Sequence, residues 1–150
     1  MKILLPFDGS DYARHAVESV ITMAKEGLSI DVVLANVQEA ANLYELVVAH
    51  DPQVIEKVSQ AAGYHLLKPA QDMLKKAGIA FESEVRSGDP ANTLIDILHS
   101  YSCQLVVMGA TGASTLRRAM LGSVSNELLH SAGVPVMIVK PPLEDDDGSA

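Results

Sequence analysis

Runs of consecutive apolar residues alternate along this chain with stretches in which apolar residues recur every three or four positions. Lys2 to Phe7 is the first run, and its unbroken apolarity predicts a strand buried on both faces. After Asp8-Gly9-Ser10, apolar residues fall at Ala13, Ala16, Val17, Val20, Ile21 and Ala24, the spacing of one helical face. Ser10 suits the N-cap, Asp11 the first turn, and Gly27 the stop. Ile30 to Val37 predicts a second strand, while residues 39–50 show no period. Asp51-Pro52 reads as a cap followed by proline at the first helical position. Val54, Val58, Ala61, Ala62, Leu66, Ala70, Met73, Leu74 and Ala77 then continue one face to Gly78, with Pro69 expected to kink or break the helix. Ile79, Phe81, Ser83 and Val85 alternate with Ala80, Glu82, Glu84 and Arg86, as in a strand with one more exposed face.

Asp89-Pro90 repeats the cap-plus-proline start, and its helix is expected to reach about Tyr101. Gln104 to Met108 is a fourth strand, Gly109 to Gly122 a long loop, Ser123 to His130 a short helix, and Pro135 to Lys140 the last strand. Five strands alternating with helices of crossover length predict a parallel sheet covered on both faces. No linker, composition break or internal repeat divides the chain. One α/β domain is expected over residues 1–141, followed by an acidic tail, 142–150, without regular structure.

Composition narrows the classes. Of 150 residues, 48% are hydrophobic but only 4% aromatic, so the core is aliphatic. The net charge is −8, and Glu144, Asp145, Asp146 and Asp147 concentrate half of it in the tail. A mildly acidic body disfavours nucleic acid as a partner. Cys103, the only cysteine, precedes the apolar Leu105-Val106-Val107, which fits a buried thiol and a reducing compartment. The opening apolar run is too short for a signal peptide, and no stretch reaches the ~18 apolar residues of a membrane span, so a cytoplasmic protein is expected.

Candidate chemistry concentrates in Met108-Gly109-Ala110-Thr111-Gly112 and Gly122-Ser123-Val124-Ser125. The first stretch leaves the C-terminal end of a buried strand, where open parallel sheets bind ligands. The second opens a helix, whose first N–H groups lack internal partners and favour an anion. The same features also fit a surface loop with glycine at its turns and Ser123 as a simple cap. Neither a phosphate-loop Gly-Lys-Ser/Thr nor a Gly-x-Gly-x-x-Gly after the first strand is present. His15, His50, His65, His99 and His130 form no metal-ligand spacing, and no activated nucleophile stands out.

The spacing Gly109-x2-Gly112-x9-Gly122-Ser123 resembles the nucleotide-binding pattern of the universal stress protein family. Lys2 to Ser10 is similar to that family's opening strand and turn, and Val134 to Lys140 to its closing strand. The resemblance implies an adenine-nucleotide α-hydrolase-like fold with strand order 3-2-1-4-5, in which Asp8 and the Gly109 loop share one pocket. It further implies ATP, ADP or AMP, with Mg²⁺, as ligand. Main-chain groups of Gly109, Gly112, Gly122, Ser123 and Val124 would then hold ribose and phosphates, assisted by the Ser123 and Ser125 hydroxyls. Asp8 would take a ribose hydroxyl or help hold phosphate-bound Mg²⁺, and Pro6 would shape the floor. Val37 would meet adenine through its main chain and Met108 would pack beside the base, although both residues equally fit plain core packing. Arg117 and Arg118 fit either phosphate neutralisation or a solvated pair. The chain departs from the family pattern at Asn36, where histidine is common, and at the polar Ala113-Ser114-Thr115. Homodimers through strand Pro135–Lys140 are implied as well. Three functions compete: a nucleotide-binding stress or regulatory factor, a slow ATPase or phosphotransferase, and a dimeric interaction protein without nucleotide. The intact glycines argue against the third, and the lack of a dedicated catalytic residue favours the first over the second.

Overall fold

The computed structural model describes residues 1–39, 52–111 and 121–142. Among these residues nine elements alternate: β1 (Lys2–Pro6), α1 (Asp11–Lys25), β2 (Asp31–Gln38), α2 (Pro52–Lys76), β3 (Ala80–Ser87), α3 (Pro90–Ser100), β4 (Leu105–Gly109), α4 (Ser123–Ser131) and β5 (Val136–Val139). All four strand pairings are parallel, and the order is β3-β2-β1-β4-β5. Ile3, Leu4 and Leu5 of the central strand are fully buried, as their unbroken apolarity requires.

Alternation along the strands divides the core in two. Ile3, Leu5, Val32 and Leu34 pack with Ala16, Val17 and Val20 of α1 and Leu67, Ala70 and Leu74 of α2. Leu4, Val33, Ala35, Val106 and Met108 pack with Leu94, Ile97 and Leu98 of α3 and Leu128 of α4. Two helices therefore cover each face, giving three layers. Cys103 lies in the second cluster, where burial pushes its thiol pKa up, against a smaller opposing effect of Lys2.

The helix starts follow local chemistry. Ser10 caps α1 by accepting the Ala13 N–H at 3.2 Å, and Asp89 caps α3 by accepting that of Asn92 at 3.1 Å. The expected break at Pro69 does not occur, because α2 runs unbroken through it. Pro69 and His65, whose carbonyl loses its helical donor, are both exposed, so water can satisfy that carbonyl. Leu67, Ala70 and Leu74, on the buried face, hold the helix to the sheet across the proline. The expected cap Asp51, the arginines 117 and 118, most of segment 39–50 and the acidic run lie outside the described residues.

At the far edge, Glu84 of β3 accepts Tyr101 Oη–H at 2.7 Å and pairs with Arg86 Nε at 2.7 Å. Burial works to raise the Glu84 pKa, but the Tyr101 and Arg86 hydrogen bonds and the arginine charge outweigh it and leave the value lowered. The same bond, with burial behind it, pushes Tyr101 up to about 12.

Candidate functional site

In the order 3-2-1-4-5 the direction in which successive strands are added reverses between β1 and β4, and a crevice opens there beyond the strand ends. It holds a cavity of about 470 Å³, a size suited to a small-molecule ligand. Pro6, Phe7 and Asp8 line it from the end of β1, and Ala35 to Glu39 from that of β2. Met108, Gly109 and Thr111 line it from β4, and Gly122 to Ser125 from the start of α4. Leu66 of α2 and Pro90 and Leu94 of α3 close its sides. Asp8 and Gly109, a hundred positions apart, are thus brought to one cavity. Of the residues expected from sequence, Pro6, Asp8, Val37, Met108, Gly109, Gly122, Ser123, Val124 and Ser125 all line it. Gly112 lies outside the described residues.

One end of the cavity is rich in main-chain donors. Gly122 is the N-cap of α4 and brings no side chain to cap the helix. Its carbonyl takes the first helical bond, from Asn126 N–H at 3.0 Å. The N–H groups of Ser123, Val124 and Ser125 therefore have no partner within the helix. Two bonds fasten this helix start to the β4 exit: Gly122 N–H donates to the Ala110 carbonyl at 2.9 Å, and Ser125 Oγ–H to that of Gly109 at 3.1 Å. The Ser125 hydroxyl proton, expected to serve a ligand, is thus used to hold the Gly109 carbonyl. Beside them Thr111 is 4% exposed, and its Oγ1 is a buried side-chain oxygen without a hydrogen-bond partner among the described residues.

Gly109 has a steric reason of its own. A Cβ at this position would lie 2.7 Å from the Tyr12 carbonyl carbon and 2.8 Å from its oxygen. The glycine lets α1 lie against the end of β4, whether or not a ligand approaches.

The opposite end is built from β2. Asp31 N–H donates to Met1 and Phe7 N–H donates to Ala35, both on the β1 side, whereas the Gln38 carbonyl accepts Gly88 N–H on the β3 side. Main-chain groups of a strand alternate between neighbours, so those of Val37 point to the β1 side, beyond the end of β1. The Phe7 carbonyl, which a continuing ladder would give to Val37 N–H, instead accepts Asn36 Nδ2 at 2.9 Å. Asn36 Oδ1 in turn accepts Gln38 Nε2 at 2.6 Å. Asn36 is 4% exposed and sits beneath Gly63 of α2. The Val37 side chain packs against the α3-side core, as does Met108, which also forms part of the cavity wall.

Asp8 sits at the mouth, with Oδ1 accepting Ser10 N–H at 2.9 Å in the turn that leads into α1. A shallower hollow adjoins the cavity through Glu39, Pro90, Ser123 and Val124, and adds Asp89 and Glu127. The described lining therefore carries Asp8, Glu39, Asp89 and Glu127 but no lysine or arginine. Among the described residues no group of three or more His, Cys, Asp or Glu side chains is arranged to hold a metal ion, and no helix is long and apolar enough to cross a membrane.

Sequence reasoning missed the polar relay of Asn36 and Gln38, the buried Thr111 hydroxyl, and the walls supplied by Leu66, Pro90 and Leu94. Asn36 carried a signal, since an amide inside the apolar run 32–37 needs a buried partner.

The fold and crevice define an open, parallel α/β protein with a cleft at its switch point. The chain belongs to the universal stress protein family, whose profile matches residues 1–140. Universal stress protein MJ0531 of Methanocaldococcus jannaschii is 31% identical over 144 residues, covering 96% of this chain and 84% of the relative. Two solved structures share the architecture. A universal stress protein in complex with cAMP gives a TM-score of 0.67 at 24% identity, covering 93% of this chain and 96% of that one. The Arabidopsis thaliana family member At3g01520, with AMP bound, gives 0.66 at 19%, covering 97% of each. At such identities they establish the fold.

Proposed function

We propose that this chain is a regulatory or stress-response factor that binds ATP, or ADP or AMP, in the crevice between β1 and β4. The observation that carries this reading is the convergence of the open α4 N-terminus with the partnerless, buried Thr111 hydroxyl at one end of the cavity. Main-chain N–H groups at a helix start attract a phosphate, and the hydroxyl adds a donor. At the other end, the Val37 main chain offers a donor and an acceptor to a base, with Met108, Leu66 and Leu94 as apolar walls. That solved relatives hold cAMP and AMP supports the class of ligand. Gly109, Gly122, Ser123 and Val124 would face ribose and phosphates, Pro6 would form floor, and Asp8 would take a ribose hydroxyl or a phosphate-bound Mg²⁺. The acidic lining gives the cation a purpose, because a polyphosphate entering beside Asp8, Glu39 and Glu127 needs its charge offset.

The functional unit in this reading is one domain over residues 1–141, with the tail 142–150 outside it, working in the cytoplasm as a homodimer. β5 is an edge strand, and Met137 on it is 39% exposed. Antiparallel pairing with a second copy would cover that edge. Lysine at Met137 should then shift the dimer to monomer in light scattering.

The primary test is mass spectrometry of small molecules released from the purified protein, followed by calorimetric titration with ATP, with and without Mg²⁺. A co-purifying adenine nucleotide or saturable binding supports the reading. Absence of both refutes it.

A further inference from the structure

Two facing carboxamides usually leave open which end of each is oxygen and which nitrogen. Here a third group decides. The Phe7 carbonyl can only accept, so the Asn36 atom 2.9 Å from it is the nitrogen. Asn36 must then turn its oxygen to Gln38, and Gln38 must answer with its nitrogen, at 2.6 Å. One backbone carbonyl thereby fixes both amides in turn. Gln38 uses one N–H of Nε2 on Asn36, and its second N–H and its Oε1 have no partner among the described residues. Gln38 lines the cavity at the β2 end, away from the α4 donors. A donor and an acceptor side by side match the amino group and N7 of adenine, the pairing that glutamine makes with this base elsewhere.

We propose that Gln38 is a specificity-determining residue that reads the amino/N7 edge of the bound base, with Asn36 as the positioning residue that orients it. The inference rests on the adenine-nucleotide reading above. Gln38 Oε1 accepts from the exocyclic amino group, and the free Nε2–H donates to N7. The Val37 main chain is left for the other edge, which N7 does not touch. Gln38 is partly exposed, so its replacement leaves the core intact.

The probe is 7-deaza-ATP, which keeps the amino group and loses only the N7 acceptor. Calorimetric Kd values for it and for ATP, with Mg²⁺, are compared in the wild-type protein, in Gln38→Met and in Gln38→Glu. The wild type should bind ATP about fivefold more tightly than the deaza compound, the scale of one neutral hydrogen bond. Both variants, which lack the donor, should bind the two nucleotides equally, with only a modest fall in melting temperature where Asn36 Oδ1 loses its partner. An Asn36→Ala variant, which removes the Oδ1 that holds Gln38 Nε2, should lose part of the same preference although residue 38 is unaltered. Equal binding by the wild type, or a preference that survives in Gln38→Met, overturns the proposal while leaving adenine-nucleotide binding intact. Failure of ATP and the deaza compound alike to bind the wild type overturns the pocket reading, and this inference with it.

Discussion

Gly63 marks the closest approach of α2 to the sheet, and an alanine there tests how tightly that contact is made. A Cβ at this position would run into Val85 Cγ1, with Val85 Cγ2 at 3.1 Å and Asn36 Oδ1 at 3.0 Å. Both methyls of a β-branched side chain lie close, so a rotamer change moves one away only by bringing the other in. Overpacking of this kind costs about 1–3 kcal/mol, and the double contact places Gly63→Ala near the upper figure. Alanine in place of glycine inside a helix returns about 1 kcal/mol. The net loss is then about 2 kcal/mol, or about 4–8 °C in melting temperature for a domain of this size. Val85→Ala removes the obstructing methyls and should by itself cost about 2–3 kcal/mol through lost burial and the cavity left behind. In that background the added Cβ enters vacated space, so Gly63→Ala should turn from destabilising to stabilising by about 1 kcal/mol. The coupling between the sites is therefore about 3 kcal/mol, readable from urea melts of the four proteins. If Gly63→Ala costs the same with Val85 present or absent, or costs nothing in the wild type, the packing argument is wrong.

Other consequences follow from named contacts. Gly109→Ala opposes main chain to main chain across α1 and β4, where neither can turn aside, so a loss of about 3 kcal/mol is expected in ligand-free melts. An unchanged melt would return this glycine to a purely ligand-related role. Glu84 has a lowered folded pKa, so its contribution is present above the ordinary carboxylate range and is lost as pH falls through the folded value. Glu84→Gln should flatten the acid limb of stability measured against pH, and an unaltered limb counts against the pair. Tyr101 is shifted the opposite way: its contribution is complete below 10 and fades as pH rises towards about 12. Ultraviolet tyrosinate titration should show one late phenol that Tyr101→Phe removes. At Asp8, asparagine keeps an acceptor for Ser10 N–H but drops the charge. Asp8→Asn should weaken Mg²⁺-dependent ATP affinity with little change in stability, and equal affinity would reject a charge-based role.

Much of the architecture was legible because burial on two faces writes itself plainly. The unbroken run at Ile3-Leu4-Leu5 and the paired caps Ser10 and Asp89 each specify an element from a few neighbouring residues. The glycine spacing led to the end of the sheet where the cavity lies, since Gly109 and Gly122 both line it. Whether Pro69 would break its helix was not legible, because the cost depends on whether the orphaned carbonyl meets water, which is a property of tertiary position. The cavity walls were illegible for a related reason. Leu66 and Leu94 follow their helical periods like any core residue, and only packing turns them towards the crevice. Gly109 was read as a ligand contact or a turn glycine, whereas its nearest neighbour is the main chain of Tyr12, ninety-seven positions away and invisible to spacing.

One end of the crevice arises from the termination of β1 beside the longer β2. With β1 ending at Pro6 and β2 running on to Gln38, the main chain of Val37 outlasts its partner strand. Ordinarily the next carbonyl, that of Phe7, would close the gap. Asn36 takes that carbonyl with its side chain, so the ladder stops one bond early and the Val37 N–H stays directed at the cavity. Across the crevice, glycine at the α4 N-cap has the same effect by omission, leaving three helix N–H groups without a cap. Main-chain donors left open in this way attract any suitable acceptor and discriminate poorly among ligands. In the proposed reading, selectivity then rests chiefly on two lining side chains with polar atoms unused among the described residues, Gln38 beside the strand and Thr111 beside the helix. Substitutions at those two positions should alter which ligand is held more than whether the domain folds.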